Sequence, residues 1–380
     1  MKKSIVLLLA SALLVGSCGE YDIPGKEKEG ECEICFTKKE VARILSELPL
    51  QKEQLEEVYD AVNSSTGNGY DEEYTLTNLF FSPGRGVGGG ATRSSSYEIP
   101  IRALFEDYFS QKYATKAGTA SIQAYIDALA ASGMQIYAPY SEDWDGSTFP
   151  IITYDPGYGA ETNYGYELRL EDGELIVVDS VFVDEAVAAR RPVWVINDNT
   201  DSAFTPAELF LSGTKASAEG EGKVGHQLIL KNFKMLRNYD TWFAGGSEFK
   251  IQMGAVDGFT ASTEAELRLY NPSITEFILV VKRKQLNMPL PYNAVILTDL
   301  TDQMEKLAFL ITEEDGGTRT NWKCSASVKV QSKSYGFDID LPYNDRDDIV
   351  WRGQLATSYF SGKETVKGRF GDVEITFGLE

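Results

Sequence analysis

The sequence predicts an α+β domain over residues 37–200, followed by an all-β antiparallel sandwich over residues 222–380. The length of 380 residues suits two domains at about 100–200 residues each. Helical spacing of apolar residues is confined to the first half, whereas short alternating runs fill the second. Between the halves, residues 201–221 have the Gly-, Ser- and Glu-containing composition of a linker.

The first domain is predicted to gather its helices early and its strands late. Apolar side chains recur at i, i+3, i+4 and i+7 in four segments, which predict amphipathic helices. These segments are residues 41–48, 55–62, 101–109 and 122–129. Short runs between residues 134 and 196 then predict a sheet, with Asp172-Gly173 as a hairpin turn. This order is typical of an α+β domain.

The second domain shows the period of two that half-buried strands require. Trp322, Cys324 and Ala326 alternate with Lys323 and Ser325, so Cys324 is expected on the core side. Similar short runs recur every 10–15 residues or so along 226–377, and this spacing predicts an antiparallel sandwich.

The N-terminus carries a targeting signal. Lys2 and Lys3 precede an apolar stretch over residues 5–15, which is too short to span a bilayer but suits a secretory signal peptide. The following Val15-Gly16-Ser17-Cys18 resembles the lipobox of bacterial lipoproteins. That resemblance implies a signal peptide over residues 1–17, lipidation of Cys18 and a tether over 18–36. Gly19 in place of Asp favours the outer membrane. The alternative is an ordinary secretory peptide with an incidental cysteine.

Composition excludes several functions. The chain has 36 basic and 57 acidic side chains and a formal net charge of −21, which argues against nucleic-acid binding. His226 is the one histidine, so two-histidine metal motifs are excluded. Cys32 and Cys35 predict a small disulfide-closed loop in an oxidising envelope, with thiol chemistry or unpaired thiols as alternatives.

Acidic residues gather in three predicted loops of the second domain. They are Asp240 and Glu248 around a Gly-Gly-Ser turn, Glu314 and Asp315 after a predicted strand, and Asp347 and Asp348 farther on. These loops resemble the calcium-binding loops of C2 domains. The resemblance implies a C2-like sandwich whose tip binds Ca²⁺ through these carboxylates, because Ca²⁺ takes about 6–8 oxygen ligands. The alternative is that the loops carry solvated acids.

A second candidate site lies in the α+β domain, where eight aromatic residues fall within residues 137–166. Tyr140, Trp144, Asp145 and Tyr158 suit a carbohydrate platform, since aromatic rings stack on sugar faces while acids bind hydroxyls. The alternative is ordinary packing of aromatic residues in strands and loops.

Taken together, the lipobox, the tether and the segments 137–144 and 242–249 resemble the uncharacterised two-domain surface lipoproteins of Bacteroidetes. The resemblance implies the compartment and the architecture. We therefore expect a lipid-anchored cell-envelope protein with a non-enzymatic binding role toward a glycan, peptide or protein. The alternative is a carboxylate-dependent hydrolase acting on glycan or peptide.

Overall fold

The computed structural model describes residues 34–81, 97–113, 121–199 and 226–380. The signal peptide, Cys18, Cys32 and the linker lie outside these ranges, as does nearly all of the tether. Within them, no helix combines the length and the apolar character needed to cross a membrane.

The N-terminal half (residues 34–199) contains six helices in its described part, and the four predicted from spacing are among them. The helices are α1 (Lys38–Glu47), α2 (Lys52–Thr66), α3 (Leu76–Phe80), α4 (Ile101–Tyr113), α5 (Ile122–Ala130) and α6 (Glu185–Ala188). The first helix begins with a capping box, in which Thr37 and Glu40 satisfy each other's backbone N–H groups. It ends before Pro49, as predicted.

One six-stranded sheet packs against these helices, in the order β1-β2-β6-β3-β4-β5. Its strands are β1 (Glu73–Thr75), β2 (Met134–Tyr137), β3 (Ile151–Tyr154), β4 (Thr162–Glu171), β5 (Glu174–Asp184) and β6 (Val193–Asp198). Of the pairings described in this sheet, only that of β3 with β6 is parallel. The predicted turn at Asp172-Gly173 joins β4 to β5, and both residues have positive φ, which a two-residue hairpin of this kind requires.

The C-terminal half (residues 226–380) is built from two largely antiparallel open sheets around one hydrophobic core. Its strands are β7 (His226–Met235), β8 (Ser247–Ala255), β9 (Ser273–Val281), β10 (Leu290–Leu300), β11 (Met304–Glu313), β12 (Arg319–Val330), β13 (Lys333–Asn344), β14 (Asp348–Ala356), β15 (Thr365–Phe370) and β16 (Val373–Leu379). The four-stranded sheet has the order β10-β7-β16-β15. The six-stranded sheet has the order β13-β12-β11-β8-β9, with β14 paired to β11.

The fold is therefore mostly antiparallel β-sheet with a helical N-terminal part, as the sequence predicts at this level. Three features differ from the prediction. Strand β1 and helix α3 lie among the early helices without having been predicted, and β5 is longer than the short runs expected there, since it extends from Glu174 to Asp184. Cys324 lies on the core side of β12 as predicted: it is half-buried against the hydrophobic core, and its thiol donates to the carbonyl oxygen of Ile339 over 3.3 Å.

The two halves are in contact through a third hydrophobic cluster. Trp242 and Phe243, from the loop between β7 and β8, are buried against Ile151, Val193 and Val195 of the N-terminal sheet. The loop at residues 236–246 therefore packs on both halves, since Trp242 and Phe243 contact the N-terminal sheet while Tyr239 packs against the core of the C-terminal half. We call this contact the junction.

Candidate functional site

Three carboxylates meet beside the junction. Asp240 lies in the loop between β7 and β8, Glu248 is the second residue of β8, and Glu313 is the last residue of β11. One oxygen from each side chain lies within 4.8 Å of the others. We call these three residues the acidic centre.

Glu313 is the most unusual member, because it has no exposed surface. Its partner across the sheet is Phe249, a core residue, and cross-strand partners share a face of the sheet. No N–H or hydroxyl group of the described residues donates to either carboxylate oxygen of Glu313, and the group that it can share a proton with is the carboxylate of Asp240. Burial, reinforced by the charge of Asp240, raises the pKa of Glu313 far above that of an exposed glutamate.

Asp240 and Glu248 approach Glu313 from the neighbouring loop and strand. Burial raises the pKa of Asp240, while a hydrogen bond with Glu313 and the positive charge of Arg283 oppose that rise. The same arginine holds the Asp240 backbone, since its Nη1 donates to the Asp240 carbonyl oxygen over 2.8 Å. Glu248 is fixed through its own carbonyl oxygen, which accepts from the backbone N–H of Glu314 over 2.9 Å.

Of the other four residues predicted as metal ligands, two are already engaged. Glu314 forms an ion pair with Lys250, with 3.4 Å between the charged atoms. The Asp347 carboxylate closes its own turn by accepting from the backbone N–H groups of Asn344, over 2.7 Å, and Asp315, over 3.1 Å. Both carboxylates therefore have local partners that satisfy them without an ion.

The remaining two residues, Asp315 and Asp348, lie close enough to the acidic centre for their charges to act on it. Burial, together with the charges of Asp240, Asp348 and Asp347, raises the pKa of Asp315 to about 6. Asp348 is exposed and faces Arg237, with 3.9 Å between the charged atoms. The structure thus brings Asp240 and Glu248 together with Glu313, a residue that the sequence analysis did not select.

The acidic centre is electrostatically costly when all three groups are ionised. Two unit charges 4.8 Å apart repel by about 3 kcal/mol at an effective dielectric constant of about 20. The repulsion can be relieved by a proton on Glu313 or by a bound cation. The three residues offer six carboxylate oxygens and no nitrogen or sulfur ligand, which suits Ca²⁺ better than Zn²⁺.

The residues of the predicted carbohydrate platform are dispersed. The Trp144 ring stacks on Tyr59, with 4.1 Å between centroids, and its Nε1 donates to the carbonyl oxygen of Thr148. Asp145 accepts hydrogen bonds from Thr148 and from Ser147, and these lower its pKa to about 2. Its carboxylate therefore serves its own turn.

The two tyrosines of this set lie in different surroundings. Tyr158 is fully exposed at a turn, with positive φ. Tyr140 lines a small cleft at the junction, beside Trp242 and Arg283. Among the described residues, no ring contact joins Tyr140, Trp144 and Tyr158 to one another.

The acids of the same segment were the basis for the hydrolase alternative. Glu142, Asp143, Asp145 and Glu161 are exposed, and Asp155 pairs with Lys38 over 3.0 Å. Within the described part of residues 137–166 there is thus no pair of buried carboxylates of the kind that a carboxylate-dependent hydrolase needs.

The geometry of the acidic centre stands without support from relatives. Comparisons of the chain with models of protein families, with curated proteins and with solved structures find no match in any of the three.

Proposed function

We propose that this chain is a lipid-anchored protein of the bacterial cell envelope whose role is binding rather than catalysis, and that its acidic centre binds Ca²⁺. Cys18 is the proposed site of lipidation, and the outer membrane is the proposed location. The C-terminal half is proposed to be a C2-like sandwich, with the acidic centre in the position of that family's calcium-binding loops.

One observation carries the cation site. Glu313 is completely buried without a hydrogen-bond donor, and its carboxylate meets two others. A buried carboxylate without a partner is strongly disfavoured, since a charge taken from water must be paired, protonated or coordinated to a metal. Ca²⁺ would supply this compensation for all three carboxylates at once. Asp240 and Glu248 are only half-buried, so a cation that they hold is also able to accept oxygen atoms from a glycan, peptide or protein ligand.

The test is titration of the chelator-treated full chain with Ca²⁺. Binding is measured by calorimetry and, with Tb³⁺ in place of Ca²⁺, by sensitised luminescence. Binding at 100 times the Kd should raise the free energy of unfolding by about 2.7 kcal/mol. Glu313→Gln keeps the size of the side chain but removes its charge, so binding and stabilisation should both be lost. Asp338→Asn, which removes an exposed charge from β13, is the matched control.

The outcomes separate clearly. A wild-type chain that neither binds Ca²⁺ nor is stabilised by it contradicts the site. So does a Glu313→Gln variant that binds as tightly as the Asp338→Asn control, because the buried carboxylate would then have no part in coordination.

The lipid anchor is tested separately, by replacing Cys18 with alanine and following the protein through fractionation of the producing cells. The wild-type chain should need detergent for extraction, because acyl chains attached at Cys18 would hold it in the membrane. The variant has no thiol at residue 18 to carry them, so it should be extracted without detergent. Cys324→Ala is the control, since it removes a thiol from β12 in the C-terminal half. Detergent dependence that survives Cys18→Ala would contradict the anchor.

A further inference from the structure

Building on the calcium site proposed above, we infer that the bound cation also fastens the two halves of the chain together. The acidic centre and the junction share the loop at residues 236–246. A cation that fixes Asp240 therefore restrains the segment that carries Trp242 and Phe243 into the N-terminal half. The junction would be tight in Ca²⁺ and looser in its absence.

The apolar part of the junction is concentrated in two neighbouring rings. Trp242 is 1% exposed and Phe243 is fully buried, and their ring centroids lie 4.0 Å apart. They pack against Val193 and Val195 of β6, the strand that runs beside β2 and β3. Only one residue separates Asp240 from Trp242, so a displacement of Asp240 also displaces the Trp242 ring from its place in the junction.

Polar contacts hold the backbone of the same loop from the N-terminal half. Asn197 on β6 donates its side-chain amide to the carbonyl oxygens of Phe243, over 3.1 Å, and Ala244, over 3.2 Å. The Trp242 indole donates to the carbonyl oxygen of Glu161 over 2.9 Å. The loop is thus bound along its length by residues distant in sequence.

At the end of the loop, Asp71 meets the C-terminal half. Its Oδ2 accepts from the backbone N–H of Gly246 over 2.6 Å. A Cβ at Gly246 would lie 2.8 Å from the carbonyl oxygen of Val281, so the backbone is tightly placed here. Asp71 therefore ties the N-terminal half to the end of the loop that carries Asp240.

Arg283 links the acidic centre to the N-terminal half directly. Its guanidinium forms a two-point ion pair with Glu185 of α6, with N–O distances of 2.9 Å and 3.1 Å. A third nitrogen of the same group donates to the carbonyl oxygen of Asp240 over 2.8 Å. The guanidinium of Arg283 therefore joins Asp240, a proposed ligand residue, to helix α6 of the N-terminal half.

These contacts make the two equilibria interdependent. If Ca²⁺ binds more tightly when the junction is closed, thermodynamic linkage requires that it also favours closure by the same factor. The N-terminal half contributes none of the three carboxylates of the acidic centre. A change in its stability on adding Ca²⁺ therefore reports on the junction rather than on coordination.

The experiment is amide hydrogen exchange of the full chain, read by mass spectrometry with Ca²⁺ and with chelator. Strands β8 and β11 carry the site, whereas β2 and β6 belong to the N-terminal sheet. At 100 times the Kd, Ca²⁺ should slow exchange in β8 and β11, and it should slow exchange in β2 and β6 by up to about 100-fold if coupling is complete. Trp242→Ala, which keeps all three carboxylates, should abolish the effect in β2 and β6 only.

The result that would overturn the inference is slowed exchange in β8 and β11 of the wild-type chain with no change in β2 and β6. The calcium site would then stand without the fastening role. An absence of effect in all four strands, together with an absence of Ca²⁺ binding by calorimetry, would instead remove the proposed function. An unchanged response of β2 and β6 in Trp242→Ala would show that the coupling does not pass through the junction.

Discussion

Calcium binding at the acidic centre should release protons, and the number released follows from the burial of Glu313. Its raised pKa means that the centre holds a proton at neutral pH when no cation is bound. Ca²⁺ coordinates the ionised carboxylate, so this proton must leave on binding. While Glu313 remains protonated in the empty protein, each rise of one pH unit should tighten binding about tenfold, which corresponds to 1.36 kcal/mol. From pH 6 to pH 8 the Kd should therefore fall by about 100-fold.

Asp315 adds a second contribution at lower pH. Its pKa of about 6 lies above the ordinary value of 3.8, so it too is partly protonated below neutrality. Whether or not Asp315 contacts the ion, its charge should attract it. The dependence of log Kd on pH should therefore become steeper below pH 6 than it is between pH 7 and pH 8.

The assay is calorimetric titration of Ca²⁺ at several pH values, in buffers that differ in their enthalpy of ionisation. The observed heat should change linearly with that enthalpy, and the slope should give about one proton released per ion at pH 7. The Asp338→Asn variant should give the same slope as the wild-type chain, because Asp338 is exposed and lies on β13. A Kd that is constant from pH 6 to pH 8, with heats independent of the buffer, would refute the reasoning.

Three further results are expected. Trp242→Ala should lower the free energy of unfolding by about 3–5 kcal/mol in urea denaturation, because it removes a large, fully packed side chain; a loss below about 1 kcal/mol would contradict its role in the junction. Burial raises the pKa of Glu57 to about 7, so the stability it contributes is present below its unfolded pKa and is lost as pH rises through about 7. Glu57→Gln should flatten the fall in stability between about pH 5 and pH 7, and an unchanged slope would assign that fall elsewhere. Asp347→Ala should cost about 1–3 kcal/mol in thermal unfolding even with Ca²⁺ absent, since it leaves the Asn344 N–H without its acceptor; equal loss only in the presence of Ca²⁺ would instead make Asp347 a ligand.

Local patterns were sufficient to predict most of the elements. The helices α1, α2, α4 and α5 each have an apolar stripe at helical spacing, and the buried positions fall on that stripe. Strand β12 likewise alternates as predicted, with Ala326, Val328 and Val330 buried. Such patterns are legible because one face of the element is buried and the other is solvated.

The missed elements lack that contrast. Strand β1 has three residues, which are too few to display a period. Its first residue, Glu73, is a buried acid whose carboxylate accepts a hydrogen bond from the side-chain amide of Gln135 on β2. Helix α3 has five residues and follows β1 directly. Strand β5 was predicted too short because Asp179 and Ser180 interrupt its apolar run, and Ser180 takes a positive φ where the register with β4 shifts. Such an irregularity, a β-bulge, bends a strand without ending it.

The acidic centre was half predicted for a related reason. Asp240 and Glu248 flank a turn, and acids in loops are typical ligands of Ca²⁺. Glu313, in contrast, is the last residue of a buried strand. Its position beside the other two depends on the antiparallel register that places Glu313 opposite Phe249, near the start of β8. That register follows from pairing between segments more than 60 residues apart, which no local pattern contains.

The sequence did hold one clue: Glu313 follows Ile311 at the strand period of two, so an acid occupies a position that the pattern assigns to the core. An ionisable residue at such a position must be paired, protonated or bound to a cation. In this chain the neighbours are two further acids, so the buried charge of Glu313 must be compensated by a proton that it shares with Asp240 or by a bound cation.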